Sequence, residues 1–281
     1  MPIALPSWLP LPPALLAPLS ELSSRLDFTA LYEQRGRLMQ MATALPHLAL
    51  LPERAVMRDA VSQPFELVVD AVSTSAHFEI KEVIGEQMSM RLLQPDGSYK
   101  PWHGYVVEGA QLGADGGLAR YRLVMRPWLH FLTLRRDSFI HQDKDVRAIL
   151  EDIFQDYRQA NFRFEVSESL RQRSLCAQYR ESDFEFMTRL LAEEGLSYHF
   201  EHDDSGASLE SATSALHKLV ITDRRAEREQ LGEVRFTTQH PTARQEGQRD
   251  SVTAFAARRQ LQPNVAAIQR ATSQQPSQFL E

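Results

Sequence analysis

Cysteine is almost missing from this sequence: Cys176 is the single one in 281 residues. No intrachain disulfide can form, which suits a chain that folds in a reducing, cytoplasmic compartment. There is no Gly-x-x-x-x-Gly-Lys run to cradle phosphate. Gly113, Gly116 and Gly117 stand between strand-like segments and not ahead of a helix, so they read as turn glycines. No Gly-x-Ser-x-Gly elbow occurs either, which removes the usual frame for serine hydrolysis. Positive charge is not in excess: 31 Lys and Arg face 37 Asp and Glu, for a net charge of -6, and nucleic acid is not an expected partner. A long apolar helix is missing as well. Met1 to Ser20 is apolar but holds six prolines and no Lys or Arg, so it fits neither a signal peptide nor a membrane anchor. It reads as a disordered or loosely docked tail.

What is present is an ordinary globular composition, 43% hydrophobic and 24% charged, long enough for one large or two modest cores. From about Arg37 to Trp128 the pattern is that of strands. Met88, Met90 and Leu92 alternate with Ser89, Arg91 and Leu93 up to Pro95-Asp96-Gly97, a turn in which proline presets one dihedral and glycine supplies positive φ. The aromatic and β-branched run Tyr99 to Glu108 returns as the second arm of a hairpin. After the Gly113 to Gly117 break, Leu118 to Met125 puts Tyr121, Leu123 and Met125 on one face and Arg120, Arg122 and Val124 on the other. With Phe65 to Val72 these runs predict an antiparallel sheet able to close into a small barrel.

The period then changes. Val146, Ile149, Leu150, Ile153, Phe154 and Tyr157 recur at helical spacing behind Asp143 and Asp145, either of which fits an N-cap. A second helix is marked by the capping box Ser182 and Glu185, the apolar positions Phe184, Met187, Leu190 and Leu191, and a terminating Gly195. Tyr198 to Phe200 reads as a strand. The chain is polar from Asp203 to Ser214 and regains strand character at Leu219-Val220-Ile221, near Val234-Arg235-Phe236 and from Val252 to Phe255; it ends in a Gln- and Ser-rich stretch.

Candidates for chemistry are few. In a strand His199, Glu201 and Asp203 share one face and could meet a cation; with His202 they are the only set that suggests a metal-dependent hydrolase. Their place at a strand end before a polar turn favours solvated charge instead. Cys176 sits in an alternating run and reads as a small buried hydrophobe, with no helix N-terminus or adjacent cation to activate it. Trp102, Tyr105, Tyr121 and Trp128 have the shape to stack on sugars, as in a glycan-binding module, but aromatics in barrel strands are usually core. The reading is therefore non-enzymatic, with no catalytic, cofactor or metal residue assigned.

One resemblance spans much of the chain. His103-Gly104-Tyr105-Val106-Val107, then Gly116 through Val124, then Arg126-Pro127-Trp128 and Leu134-Arg135-Arg136-Asp137 resemble the N-terminal region of the VgrG proteins of type VI secretion. The likeness continues through Gln178-Tyr179-Arg180-Glu181-Ser182-Asp183-Phe184 and Glu193 to Glu201. It covers about Arg37 to Asp203. It implies an α+β, mainly β fold like a phage tail hub: two small antiparallel β-barrel modules with inserted helices. On that pattern residues 1–36 are a proline-rich tail, 37–137 a first barrel module, 138–203 a helical insertion with short strands, and 204–281 the start of a second, incomplete barrel module.

The resemblance further implies a homotrimer whose six barrels form a pseudo-sixfold ring on a hexameric, Hcp-like inner tube, in contact with baseplate components and with effectors or their adaptors. Such a hub assembles in the bacterial cytoplasm and is injected without a signal peptide or stable membrane insertion. A baseplate hub of a contractile phage or phage-like particle fits the same residues.

Overall fold

The computed structural model describes residues 37–115, 117–203 and 217–226, and beyond them 235–236, 251–252, 254–257, 268–272 and 275–280. The proline-rich tail and the polar 204–214 run lie outside the described residues. The chain divides into two compact units, Met1–Ala226 and Glu227–Glu281.

In the first unit, β1 (Met39–Ala42), β2 (Leu51–Arg58), β3 (Glu66–Ser73), β4 (Gln87–Leu93), β5 (Tyr99–Asp115) and β6 (Leu118–Arg126) form one antiparallel sheet in the order β1-β4-β5-β6-β3-β2. The sheet curls into a half-barrel that brings its end strands β1 and β2 near each other. The alternation in β6 is the cause: Ala119, Tyr121, Leu123 and Met125 point into the core, while Arg120, Arg122 and Arg126 face out. On β3, Leu67, Val69 and Ala71 are buried opposite them, and Phe65, Met88, Met90 and Val106 fill the space between. The outward arginines meet carboxylates across the sheet. Arg122 forks onto Asp70 at 2.6 and 3.0 Å, Arg126 reaches Glu66 at 2.6 Å, and Arg120 reaches Glu53 at 3.1 Å.

The β4–β5 hairpin turns at Pro95-Asp96-Gly97 as the sequence predicts. Asp96 Oδ1 accepts from both the backbone N–H and the hydroxyl of Ser98. The expected glycine-rich turn over Gly113 to Gly117 falls at the end of that run, between Asp115 and Leu118, so β5 runs on past Gly113, which marks a bulge. A register shift there leaves Gly113 at φ 148°, a conformation open to glycine, and pairing continues to Asp115.

The rest of the unit is an α/β layer. Strands β7 (Arg136–Lys144) and β9 (Arg173–Ser182) form a two-stranded antiparallel ribbon. A second sheet has the order β10-β11-β8, from β8 (Phe162–Glu165), β10 (Ser197–His202) and β11 (His217–Thr222), with β11 antiparallel to β10 and parallel to β8. Helix α1 (Val146–Gln155) is capped by Asp145, which accepts from the Ala148 N–H; Asp143 sits instead at a backbone kink with φ 48°. Val146, Ile149, Leu150, Ile153 and Phe154 are buried, each contributing about 1.5–3 kcal/mol.

Helix α2 (Asp183–Glu194) carries the capping box of Ser182 and Glu185 and ends at Gly195 with φ 67°. Its buried stripe is Asp183, Phe186, Met187, Leu190 and Leu191, with Phe184 only half-buried. The sequence reading chose Phe184 over Phe186 because a carboxylate in the stripe disguises its phase.

In the second unit β12 (Arg235–Phe236) pairs in parallel with β13 (Ser251–Val252), and β14 (Ile268–Thr272) pairs antiparallel with β15 (Gln275–Leu280). Among the described residues no helix is long and apolar enough to cross a membrane.

Gly104 in β5 is a close-approach glycine: an added Cβ would lie 2.7 Å from the Arg126 carbonyl oxygen and 2.8 Å from Met125 Cγ. Since backbone cannot step aside cheaply, Gly104→Ala is expected to destabilise the unit by about 1–3 kcal/mol in urea unfolding.

Candidate functional site

Asp183 opens helix α2 fully buried. A carboxylate tolerates that position only if its oxygens are filled. Arg135 Nε donates to Oδ2 at 2.7 Å, the Tyr157 hydroxyl donates to the same oxygen at 2.6 Å, and Gln178 Nε2 donates to Oδ1 at 2.8 Å. Arg135 also reaches Asp156 at 2.6 Å, tying in the end of α1. Burial, then the bond to Asp183, pushes the Tyr157 phenol well above its ordinary range, so it stays a donor. The runs Leu134 to Asp137 and Gln178 to Phe184 therefore meet in one saturated network. It joins the start of β7, the middle of β9 and the ends of both helices. Its chemistry is cohesion, since every oxygen of the carboxylate is engaged.

That network holds the β7–β9 ribbon against α2, and the two faces of the ribbon differ sharply. His141, Cys176 and Gln178 point inward and are buried, with His141 stacked on Phe186 at 5.7 Å between centroids. The register pairs Ser138 with Tyr179, Ile140 with Ala177 and Gln142 with Leu175 on the outer face. No charged side chain lies among these six. Ile140 is 57% exposed, Leu175 68% and Tyr179 69%, with the Arg180 guanidinium over the Tyr179 ring at 5.5 Å; Arg136, Asp137 and Glu181 flank the strip at one end and Lys144 and Arg173 at the other. Among the described residues the ribbon joins no other sheet. Sequence alternation predicted the strand at Cys176 but could not show that its outer face is left uncovered.

The hydrolase candidate set comes apart. His199 and Glu201 are exposed on one face of β10, where Glu201 receives a forked pair of bonds from Arg163 at 2.5 and 2.7 Å. His202 projects from the opposite face, in phase with the buried Tyr198. Among the described residues no group of three or more His, Cys, Asp or Glu is arranged to hold a metal. The aromatics are mostly core. Trp128 is fully buried with its indole N–H on the Asn161 carbonyl, Tyr121 stacks on Phe78, and Tyr105 packs against Phe131. Only Trp102 is half-exposed, under the ammonium of Lys100.

Sequence reasoning missed a cluster of histidines. His103 of β5, His202 of β10 and His217 of β11 meet where the curled sheet abuts the three-stranded one, walled by Phe65, Tyr105 and Phe200. His202 and His217 are direct register partners, with ring centroids 6.3 Å apart. Their signal was faint. Each continues the inward phase of its strand, Tyr198-Phe200-His202 and His217-Leu219-Ile221.

The phage tail baseplate hub (GPD) family matches residues 58–281, and the chain belongs to that family. It is 28% identical over 254 residues to the type VI secretion system spike protein VgrG1c of Pseudomonas aeruginosa, covering 90% of this chain and 34% of that protein. It is 27% identical over 248 residues to VgrG1b of the same organism, covering 88% of this chain and 32% of that one. The chain thus spans about a third of the length of the curated relatives it matches. Its fold is shared with an E. coli component of the type VI secretion system described as structurally similar to the T4 bacteriophage tail proteins gp27 and gp5. That match has TM-score 0.56 and 23% identity, over 70% of this chain and 50% of the other.

Asp183→Ala would take the acceptor from the buried Tyr157 hydroxyl and leave Arg135 with Asp156 alone and Gln178 with the Glu181 carbonyl alone. Because Arg135 is part-exposed and partly compensated by water, the expected loss is about 2–4 kcal/mol of unfolding free energy, read from the urea midpoint.

Proposed function

We propose that this chain is the hub portion of a type VI secretion spike, a structural and injected component in which no side chain performs catalysis. Copies assemble as a threefold ring whose pseudo-sixfold face seats on a hexameric inner tube, and the ring carries effectors or their adaptors out of the cell. Assembly takes place in the cytoplasm and export uses the secretion apparatus. Family membership and the likeness to VgrG spike proteins over nearly the whole chain support the hub reading.

The observation that carries the assembly claim is the outer face of the β7–β9 ribbon. Monomeric proteins rarely leave a strand pair with several large apolar side chains uncovered, because unpaired strand edges beside apolar area invite pairing with another chain. In a ring of copies that strip becomes part of the seam between neighbours, where core positions are depleted of charge. A strip two strands wide is smaller than the roughly 800 Å² per partner of a stable interface, so further surface must join it. A contractile phage hub would use the same surface, and the tube protein that the ring accepts distinguishes the two readings.

The test is mass in solution. The unaltered chain is expected to reach a trimer at high concentration in multi-angle light scattering, and the double variant Leu175→Glu, Tyr179→Glu to stay monomeric. Both changes lie on the surface, so unfolding free energy should move by no more than about 0.5 kcal/mol. A variant that still trimerises would remove the ribbon from the seam.

A further inference from the structure

The histidines at the junction of the two sheets are bonded in a way that only the neutral ring allows. The backbone N–H of His103 in β5 donates to His202 Nδ1 at 3.1 Å, and the backbone N–H of Trp128, just beyond β6, donates to His217 Nε2 at 3.0 Å. In each case the ring nitrogen accepts through its lone pair. A neutral imidazole with one accepting nitrogen carries its proton on the other, which fixes the tautomers as Nε2–H for His202 and Nδ1–H for His217. Those two nitrogens are buried with no protein acceptor.

We propose that His202 and His217 form a proton-sensitive latch that fastens the three-stranded sheet to the curled sheet at neutral pH and releases it on acidification. A second proton on either ring converts the accepting nitrogen into a donor that faces a backbone N–H. The cross-junction hydrogen bond is then replaced by a repulsive contact. Because His202 and His217 are register partners, charging both also sets two cations side by side between strands.

The surroundings offer little relief. On β5 the neighbouring groups are His103, whose Nδ1 contacts the Ser89 hydroxyl at 2.8 Å, and Lys100. On β10 and β11, Glu201 and Lys218 lie on the faces turned away from the pair, and Phe65 on the approach to β3 is apolar. No carboxylate among the described residues contributes to the electrostatics of either ring. Burial, then the neighbouring His103 and Lys100 for His202 and the neighbouring His202 and His103 for His217, holds both imidazoles down to about 3.

The direction of the effect follows. An unfolded histidine titrates near 6.5, so between pH 6.5 and 3 the unfolded chain binds protons that the folded chain refuses. Stability is complete above about pH 6.5 and falls as the pH drops. Between pH 7.5 and 5 the ratio of folded to unfolded chain is expected to fall about 30-fold for each of the two histidines. His130 and His141 are also lowered by burial, so the latch must be separated from them.

The separating variant is His202→Asn with His217→Gln. Asn Oδ1 and Gln Oε1 reproduce the accepting atoms at the positions of Nδ1 and Nε2 but do not titrate. Urea unfolding from pH 7.5 to 5 is expected to show a loss approaching a thousandfold in the unaltered chain, with the greater part abolished in the double variant. A second readout needs no variant: hydrogen exchange, corrected for intrinsic rate, at the His103 and Trp128 amides is expected to quicken toward pH 5 while amides in the middle of β6 stay protected. The latch is refuted if the unaltered chain loses less than about tenfold, if the double variant retains the full pH dependence, or if both amides remain protected at pH 5.

Discussion

One buried carboxylate sets the geometry on which the outer surface depends. Asp183 occupies a core position of α2, a costly site for a negative charge, and is tolerable there because Arg135, Tyr157 and Gln178 converge on it from three other segments. The β7–β9 pairing already sets Arg135 beside Asp183, through the Asp183 N–H on the Arg135 carbonyl, and Gln178 lies five residues earlier; Tyr157 is the donor that ties in the end of α1. The network thereby fixes how the β7–β9 ribbon leaves the body, and so which of its faces is turned outward. A hydrophobic contact of similar size would supply cohesion without directionality. Hydrogen bonds to a fork of two oxygens supply both.

The same logic separates the parts of the chain legible in sequence from the parts that were not. Strands with one wet face announced themselves, as in β6, where arginines alternate with Tyr121, Leu123 and Met125. Helix ends were equally plain, because Ser182, Glu185 and Gly195 satisfy local backbone requirements that need no tertiary partner. Asp183 misled because its burial is decided by residues far along the chain: Arg135 lies 48 positions earlier. Choosing Asp145 over Asp143 as the cap, and continuing β5 through Gly113, likewise depended on register, which periodicity does not contain.

The candidate sites follow that division. Adjacency in sequence made His199, Glu201 and His202 look like a set, yet strand geometry places His202 on the other face. The histidines that do meet are 99 and 15 residues apart, brought together by the pairing of β10 with β11 and by the contact of both with β5. The family likeness carried what local patterns could not, the hub architecture. Its motif residues prove to be structural on inspection: Gly104 clears a neighbouring carbonyl, and Arg135, Gln178 and Asp183 form the network.

A ribbon covered by a neighbouring copy, on a body held rigid from within, can be seen directly. Electron microscopy of the chain mixed with its inner-tube protein should show a hollow threefold collar seated on a hexameric ring, with β7 and β9 at the contacts between copies. Single copies that never engage the tube, or a collar in which the ribbon faces open solvent all round, would contradict it.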